Sequence, residues 1–482
     1  MDSVDVVVVG SGPNGMAAAV TMARAGLSVR VYERAATIGG GSRTLELTLP
    51  GFRHDVCSAV HPMALASGFF RRFELEKRIK LVVPDISYGH PLDGGAAGIA
   101  WRDLDRTADS LGVDGGAWKQ LFAPLVEHAH EVAQFSGSPI MRLPRHPLTL
   151  LRLGLRVLEQ GSPAWNLRFA GERAPAMLTG VSAHSIMRLP SLSTAAAGMV
   201  LATHAHARGW PIPVGGSQAI IEALAADLLA HGGEIVPGTE ITSLSELPPA
   251  RAVLLDTSAR SLARIAGDRL PDRYLRALRR FRYGNAVAKV DFALSAPVPW
   301  ANAQLRGAGT VHVAGSRAEL ARSEADVAAG RHPDSPYVLV SQPSVFDPTR
   351  APEGRHVLWA YTHVPAGSRL DAAEAVTDQL ERFAPGFRDT ILAVASQTAV
   401  QVQEHNPNYV GGDIAAGEPS LRQLIARPAL SRDPWRTPAG GIYLCSSSTP
   451  PGPGVHGLAG YYAARSALRA EFGLTPPRLG RD

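Results

Sequence analysis

Three glycines in Asp5-Val-Val-Val-Val-Gly10-Ser-Gly12-Pro13-Asn14-Gly15, with Glu33 beyond them, have the types and spacing to hold a dinucleotide. Gly10 permits a tight turn, Gly12 lets backbone approach a pyrophosphate, and Gly15 lets a helix pack closely on a sheet. A helix starting near Asn14 would offer free N–H groups and the positive end of its dipole to the phosphates. Glu33, 23 residues after Gly10, stands where an acid accepts hydrogen bonds from ribose hydroxyls. A second run, Tyr443-Leu-Cys-Ser-Ser447-Ser-Thr-Pro-Pro-Gly452-Pro-Gly454-Val455-His456-Gly457, repeats strand, Gly/Pro turn and helix start near the other end of the chain. An imidazole at such a helix start can titrate near neutrality, so His456 is the first candidate for proton transfer or substrate orientation. His61, in Ser58-Ala-Val-His61-Pro62, is the second.

The patterning shows which elements must position these groups. Val6 to Val9 is the unbroken β-branched run of a parallel strand buried on both faces. An Ala-rich helix is expected from about Asn14 to Ala25, closed by Gly26, with the next strand at Ser28 to Tyr32. Strand, helix, second strand and acid in register favour a dinucleotide site over an ordinary βαβ unit.

Residues 101 to 205 are helix-patterned, and Leu148, Leu151, Leu155 and Leu158 recur at helical spacing with Arg145, Arg152 and Arg156 off the stripe. Two readings stand: a core-facing helix with a solvated arginine face, or a basic amphipathic helix over 145–158 in peripheral contact with an anionic membrane. Between 284 and 403, strands and helices alternate, and Val357, Trp359, Tyr361 and His363 share one strand face. Trp359, Tyr361 and His363 would make a floor for a flat substrate, with Tyr361 a third catalytic candidate; the plainer reading of the same face is core.

The segment Arg34-Ala-Ala-Thr-Ile-Gly39-Gly40-Gly41-Ser42-Arg43-Thr44 resembles the second glycine motif of the amine-oxidase-type FAD superfamily. Gly39, Gly40 and Thr44 match; Gly41 stands at the usual Arg position, leaving Arg43 to carry the charge. The closing run is similar to that of bacterial phytoene desaturases, with Thr449, Pro451, Gly452, Gly454 and Gly457 matching. Ser447 replaces the acid of many amine oxidases, and His456 the desaturase Pro. Together the motifs most resemble the phytoene dehydrogenase-like set that includes pyridine nucleotide-disulphide oxidoreductase domain-containing protein 2, its actinobacterial members above all. The resemblance implies an α/β fold: a Rossmann-like FAD-binding domain (1–100, 206–283 and 420–482) and a discontinuous substrate domain of mixed sheet and helices (101–205 and 284–419). It further implies non-covalent FAD held by Gly10, Gly12, Pro13, Asn14, Gly15, Glu33, Arg34, Gly40, Gly41, Ser42, Arg43, Thr44, Ile241, Ser447, Gly454, Val455 and His456.

The function implied is hydride transfer to flavin from an apolar, unsaturated substrate of polyene, isoprenoid or polyketide type, by a desaturase, dehydrogenase or redox-neutral isomerase. A flavin amine oxidase and a non-catalytic flavin-binding redox partner are the alternatives. No second dinucleotide fingerprint occurs, so oxygen, a quinone or a second substrate is the expected electron acceptor.

Length and composition agree with two domains, since 482 residues exceed what one core usually supports. The chain has no apolar run long enough to span a bilayer and enters a strand within its first residues, so no signal peptide and a cytoplasmic, membrane-associated or free, location are expected. Cys57 and Cys445 are the two cysteines, and no histidine–cysteine grouping has metal-ligand spacing. Lysine supplies only Lys77, Lys80, Lys119 and Lys289 of 48 cationic residues, and the net charge is +5. That arginine bias without aromatic interleaving argues against nucleic-acid binding.

Overall fold

The computed structural model describes residues 3–139 and 146–481. A five-stranded parallel sheet has the order Ile442–Leu444, Ala252–Leu255, Val6–Val9, Val29–Tyr32, Glu234–Val236. Val6 pairs with Ala252 on one side and Val29 on the other, so the first strand is central. Its four valines are 0–6% exposed, and each such burial contributes about 1.5–3 kcal/mol. The helix Pro13–Ala23 follows, with Gly12 as its N-cap and no side chain capping it. Beside it runs the helix Leu458–Ala467. A side chain at Gly460 would collide with the Asn14 backbone, and one at Gly15 with the Gly10 carbonyl. Absent side chains therefore let the two chain ends pack together.

The second sheet is mixed and seven-stranded, in the order Ile391–Gln397, Ala286–Leu294, His356–Val364, Val338–Ser341, Ala308–Val313, Ile86–Pro91, Ala97–Trp101. The expected domain boundary at residue 100 is corrected here. Ile86–Pro91 pairs with Ala308–Val313 and with Ala97–Trp101, so residues 86–101 belong to the substrate-side sheet. Helices between Leu104 and Ala207 cover one end of this sheet around Trp118, Phe122, Met177 and Met199.

The leucine stripe turns outward. Within the helix Pro147–Gln160, Leu148, Leu151, Leu155 and Leu158 are 55–70% exposed, which overturns the core-facing reading. The opposite face, through Leu150, Leu153, Gly154 and Val157, lines an internal cavity. Arg145 lies outside the described residues. Among them, no helix is long and apolar enough to cross a membrane.

One buried ion pair joins the two halves. Arg350 Nη2 lies 2.5 Å from Asp55 Oδ2, and both side chains are 0% exposed. Asp55 Oδ1 also accepts from Thr44 Oγ1 at 2.7 Å and from the Ser217 N–H at 2.8 Å.

Candidate active site

A continuous cavity of about 720 Å³ lies between the two sheets. Its glycine-rich end is walled by Gly10, Gly12, Pro13, Asn14, Glu33, Arg34, Gly40, Gly41, Ser42, Arg43, Ile241, Ser447, Gly454 and Val455. All these were expected from the sequence. Asn14 Oδ1 and Ser42 Oγ are buried without a protein partner, and buried polar atoms of that kind call for one. Glu33 Oε2 accepts from Ser11 Oγ at 2.6 Å and Ser11 N at 3.1 Å, while Oε1 accepts from Ala35 N at 2.8 Å. Its carboxylate is thus fixed at the cavity wall.

The departure at Gly41 has a steric cause. Any side chain there would collide with Tyr409 Oη and crowd Cys57 Cβ. Arg43 supplies the charge from two residues on: it lines the cavity, is 6% exposed, and holds Gly40 O at 2.9 Å and His405 Nε2 at 2.6 Å. Near Ser447 a buried cation stands in the wall. Arg427 Nε donates to Ser447 O at 2.8 Å and its Nη2 to Ala415 O at 3.0 Å. Burial lowers the Arg427 pKa to about 10, so it remains charged at neutral pH.

Several expected roles are corrected. Thr44 faces Asp55 rather than the cavity. Gly15 serves helix packing, and its N–H donates to Asp256 Oδ2 at 2.8 Å. His456 lines the cavity as expected, but its ring is engaged as a cap: Nδ1 accepts from Leu458 N at 3.0 Å and Nε2 meets Gly452 O at 3.2 Å. Burial lowers its pKa to about 4, and neither ring nitrogen is free to move a proton. His61 also lines the cavity and is likewise stitched in place, Nε2 to Ser217 Oγ at 2.8 Å and Nδ1 to Ser58 Oγ at 3.3 Å. It too is held neutral by burial, with a pKa of about 4. Trp359 and Tyr361 do line the cavity, their rings edge to face at 5.2 Å. His363 lies behind them, 1% exposed, with Nδ1 2.6 Å from Glu324 Oε1.

Sequence reasoning missed three groups. Asp256 follows the strand Ala252–Leu255 and reaches over the first turn of Pro13–Ala23. The signal was available, since ligands bind outside the carboxyl ends of parallel strands. Burial, with Glu33 nearby, raises its pKa to about 7 against the opposing Gly15 N–H. Lys289 is 4% exposed, bonded to Asp291 and 5.7 Å above the Trp359 ring. His184 lines the far, apolar end of the cavity.

The fold, a Rossmann-like parallel sheet joined to a mixed sheet, is shared with solved oxidoreductases. Residues 8–73 match the NAD(P)-binding Rossmann-like domain. The chain is homologous over nearly its full length to pyridine nucleotide-disulfide oxidoreductase domain-containing protein 2 of Rattus norvegicus, at 25% identity across 96% of this chain and 93% of that one. A stretch covering 26% of each chain is 30% identical to 4,4'-diapolycopen-4-al dehydrogenase of Metabacillus indicus. Among solved structures, cyclohexylamine oxidase from Brevibacterium oxydans superposes with a TM-score of 0.60 at 15% identity, over 97% of this chain and 98% of that one.

Proposed function

We propose that this chain is an FAD-dependent oxidoreductase acting on a large, apolar, unsaturated substrate. The observation that carries the reading is one cavity with two kinds of wall. One end has bare helix N–H groups, orphaned polar atoms and Glu33; the other has Leu150, Leu153, Val157, Val200, Leu201 and Trp210. The first wall suits the adenosine, diphosphate and ribityl parts of FAD, held by residues 10–14, Glu33, Ser42 and Arg43 without a covalent bond. FAD, when bound, supplies a hydride acceptor.

The chain's own residues supply placement and dryness. Trp359 and Tyr361 line the cavity, and the apolar sides of the helices Pro147–Gln160 and Leu192–Ala207 exclude water. The acids on the cavity wall are Glu33, Glu240 and Asp256, all in the dinucleotide half. Among the described residues the substrate half therefore offers no carboxylate for a cationic amine, which sets the amine oxidase reading second.

The reading is tested by the visible spectrum of the purified protein and by acid release of its cofactor. FAD is the expected product, and Glu33→Ala should weaken its binding by about tenfold to a hundredfold, from the loss of charge-assisted ribose hydrogen bonds worth about 1.5–3 kcal/mol. A protein that takes up no FAD would support a scaffold role instead.

We also propose that the outward leucines of Pro147–Gln160 rest on an anionic bilayer, with Arg152 beside them and the helix's inner face opening on the cavity. Leu151→Glu with Leu155→Glu should abolish sedimentation with phosphatidylserine vesicles while leaving bound FAD unchanged. Equal sedimentation of the variant would remove this assignment.

A further inference from the structure

The apolar end of the cavity contains one polar corner that the reading above does not use. His184 lines the cavity, and its Nε2 lies 2.8 Å from His312 Nε2. The two rings meet edge to face at 5.0 Å, and the His184 ring meets Trp210 edge to face at 5.6 Å. Thr310 belongs to the same wall, two residues before His312 on the strand Ala308–Val313. Around them the lining is Leu339, Ala196, Ala197 and Val200.

A hydrogen bond between two neutral imidazoles requires one Nε2 to donate and the other to accept, so the two tautomers are opposite. His312 is 0% exposed, and its Nδ1 has no partner. Were that nitrogen protonated, a bare N–H would be buried, the rarer and costlier kind of orphan. His312 therefore carries its proton on Nε2 and donates it to His184. His184 must then carry its own proton on Nδ1, the nitrogen that no described residue engages. Burial holds the pair uncharged: it lowers His184 to about 3 and His312 well below the ordinary imidazole value. The corner is thus a neutral hydrogen-bond donor in an apolar chamber, the arrangement that fixes a ligand's orientation through one polar atom.

We propose that His184 Nδ1–H, set in that tautomer by His312, is a specificity site for an oxygen acceptor, a carbonyl above all, on an otherwise apolar ligand. The proposal rests on the apolar-substrate reading, and two probes separate the two. Diphenylhexatriene, a hydrocarbon polyene that fluoresces when buried, reports the chamber. β-Ionylideneacetone, a polyene methyl ketone, reports the corner by displacing it.

In the holoprotein, His184→Phe should leave diphenylhexatriene affinity within about twofold and weaken the ketone by about tenfold or more, the loss expected when a buried acceptor is left unpaired. His312→Phe should weaken the ketone in the same direction, because the tautomer is no longer set. His184→Gln keeps an N–H donor and should retain the ketone's advantage. Ketone affinity unchanged in His184→Phe would overturn the proposal. If His184→Phe loses both probes, His184→Gln decides: retained preference for the ketone supports the corner, and equal loss of both probes overturns it. Failure of the wild-type protein to bind diphenylhexatriene would instead remove the apolar reading itself.

Discussion

Asp55→Ala should lower the free energy of unfolding by about 3–5 kcal/mol, the usual result of leaving one buried charge without its partner. Arg350 is 0% exposed, and with Asp55 gone its guanidinium keeps the Arg53 carbonyl at 3.1 Å but no counter-charge. The same change frees Thr44 Oγ1 and Ser217 N, which meet at Asp55 Oδ1. One substitution therefore loosens the hairpin Thr44–Glu46/Arg53–Asp55, the start of the helix Gln218–Ala230 and the loop holding Arg350. Urea unfolding of Asp55→Ala, Arg350→Met and the double variant measures the coupling. The double should cost clearly less than the two singles together, because it leaves no orphaned charge. A single-variant cost below about 1 kcal/mol would show that the pair is not what joins the halves. Burial alone would raise the Asp55 carboxyl, but the Arg350 charge and the hydrogen bonds outweigh it and hold the pKa below the usual carboxylate value. The pair's contribution is thus complete above the unfolded pKa and is lost as pH falls through the lower, folded one.

FAD affinity should fall by up to tenfold per pH unit above pH 7, about 1.4 kcal/mol per unit, and be nearly flat below it. The cause is Asp256, whose carboxyl sits at the Gly15 N–H and whose pKa burial raises to about 7. A diphosphate bound at the same helix start would add negative charge beside it and raise that pKa further in the complex. Between the two values, binding takes up one proton, which is the source of the slope. The charged neighbour named by the geometry is Glu33, which pushes in the same direction. Asp256→Asn keeps an acceptor for Gly15 N–H and removes the ionisation, so its affinity should stay flat from pH 6 to 9. Titration of the apoprotein with FAD at several pH values reads both profiles. An unchanged slope in Asp256→Asn would place the proton elsewhere.

The parts of the fold that were legible in the sequence are those fixed by local chemistry. Val6–Val9, the turn at Gly10 and Gly12, and the helix after it each follow from β-branching, missing side chains and alanine content. The strand His356–Val364 showed its alternation, and Trp359 and Tyr361 reach the cavity as that alternation requires. What failed depended on partners distant in sequence. His456 and His61 look like acid–base groups until the backbone and serines that engage both their ring nitrogens are known. His363 shares the strand face of Tyr361 but meets Glu324, 39 residues away. The leucine spacing on Pro147–Gln160 correctly announces a helix but carries no information on which face meets protein. His184 and His312 are 128 residues apart, and neither lies in a recognisable motif.

The central strand Val6–Val9 has neighbours made at very different times during synthesis. Val29–Tyr32 follows it almost at once and Ala252–Leu255 comes halfway along the chain, while Ile442–Leu444, the edge strand beyond Ala252–Leu255, arrives near the end. The helix Leu458–Ala467 that packs against Pro13–Ala23 is made later still. An emerging chain must therefore keep its first strand and helix without their final partners until nearly all of it has left the ribosome. The unpaired edge of that first βαβ unit is where a growing chain is most exposed to wrong pairing.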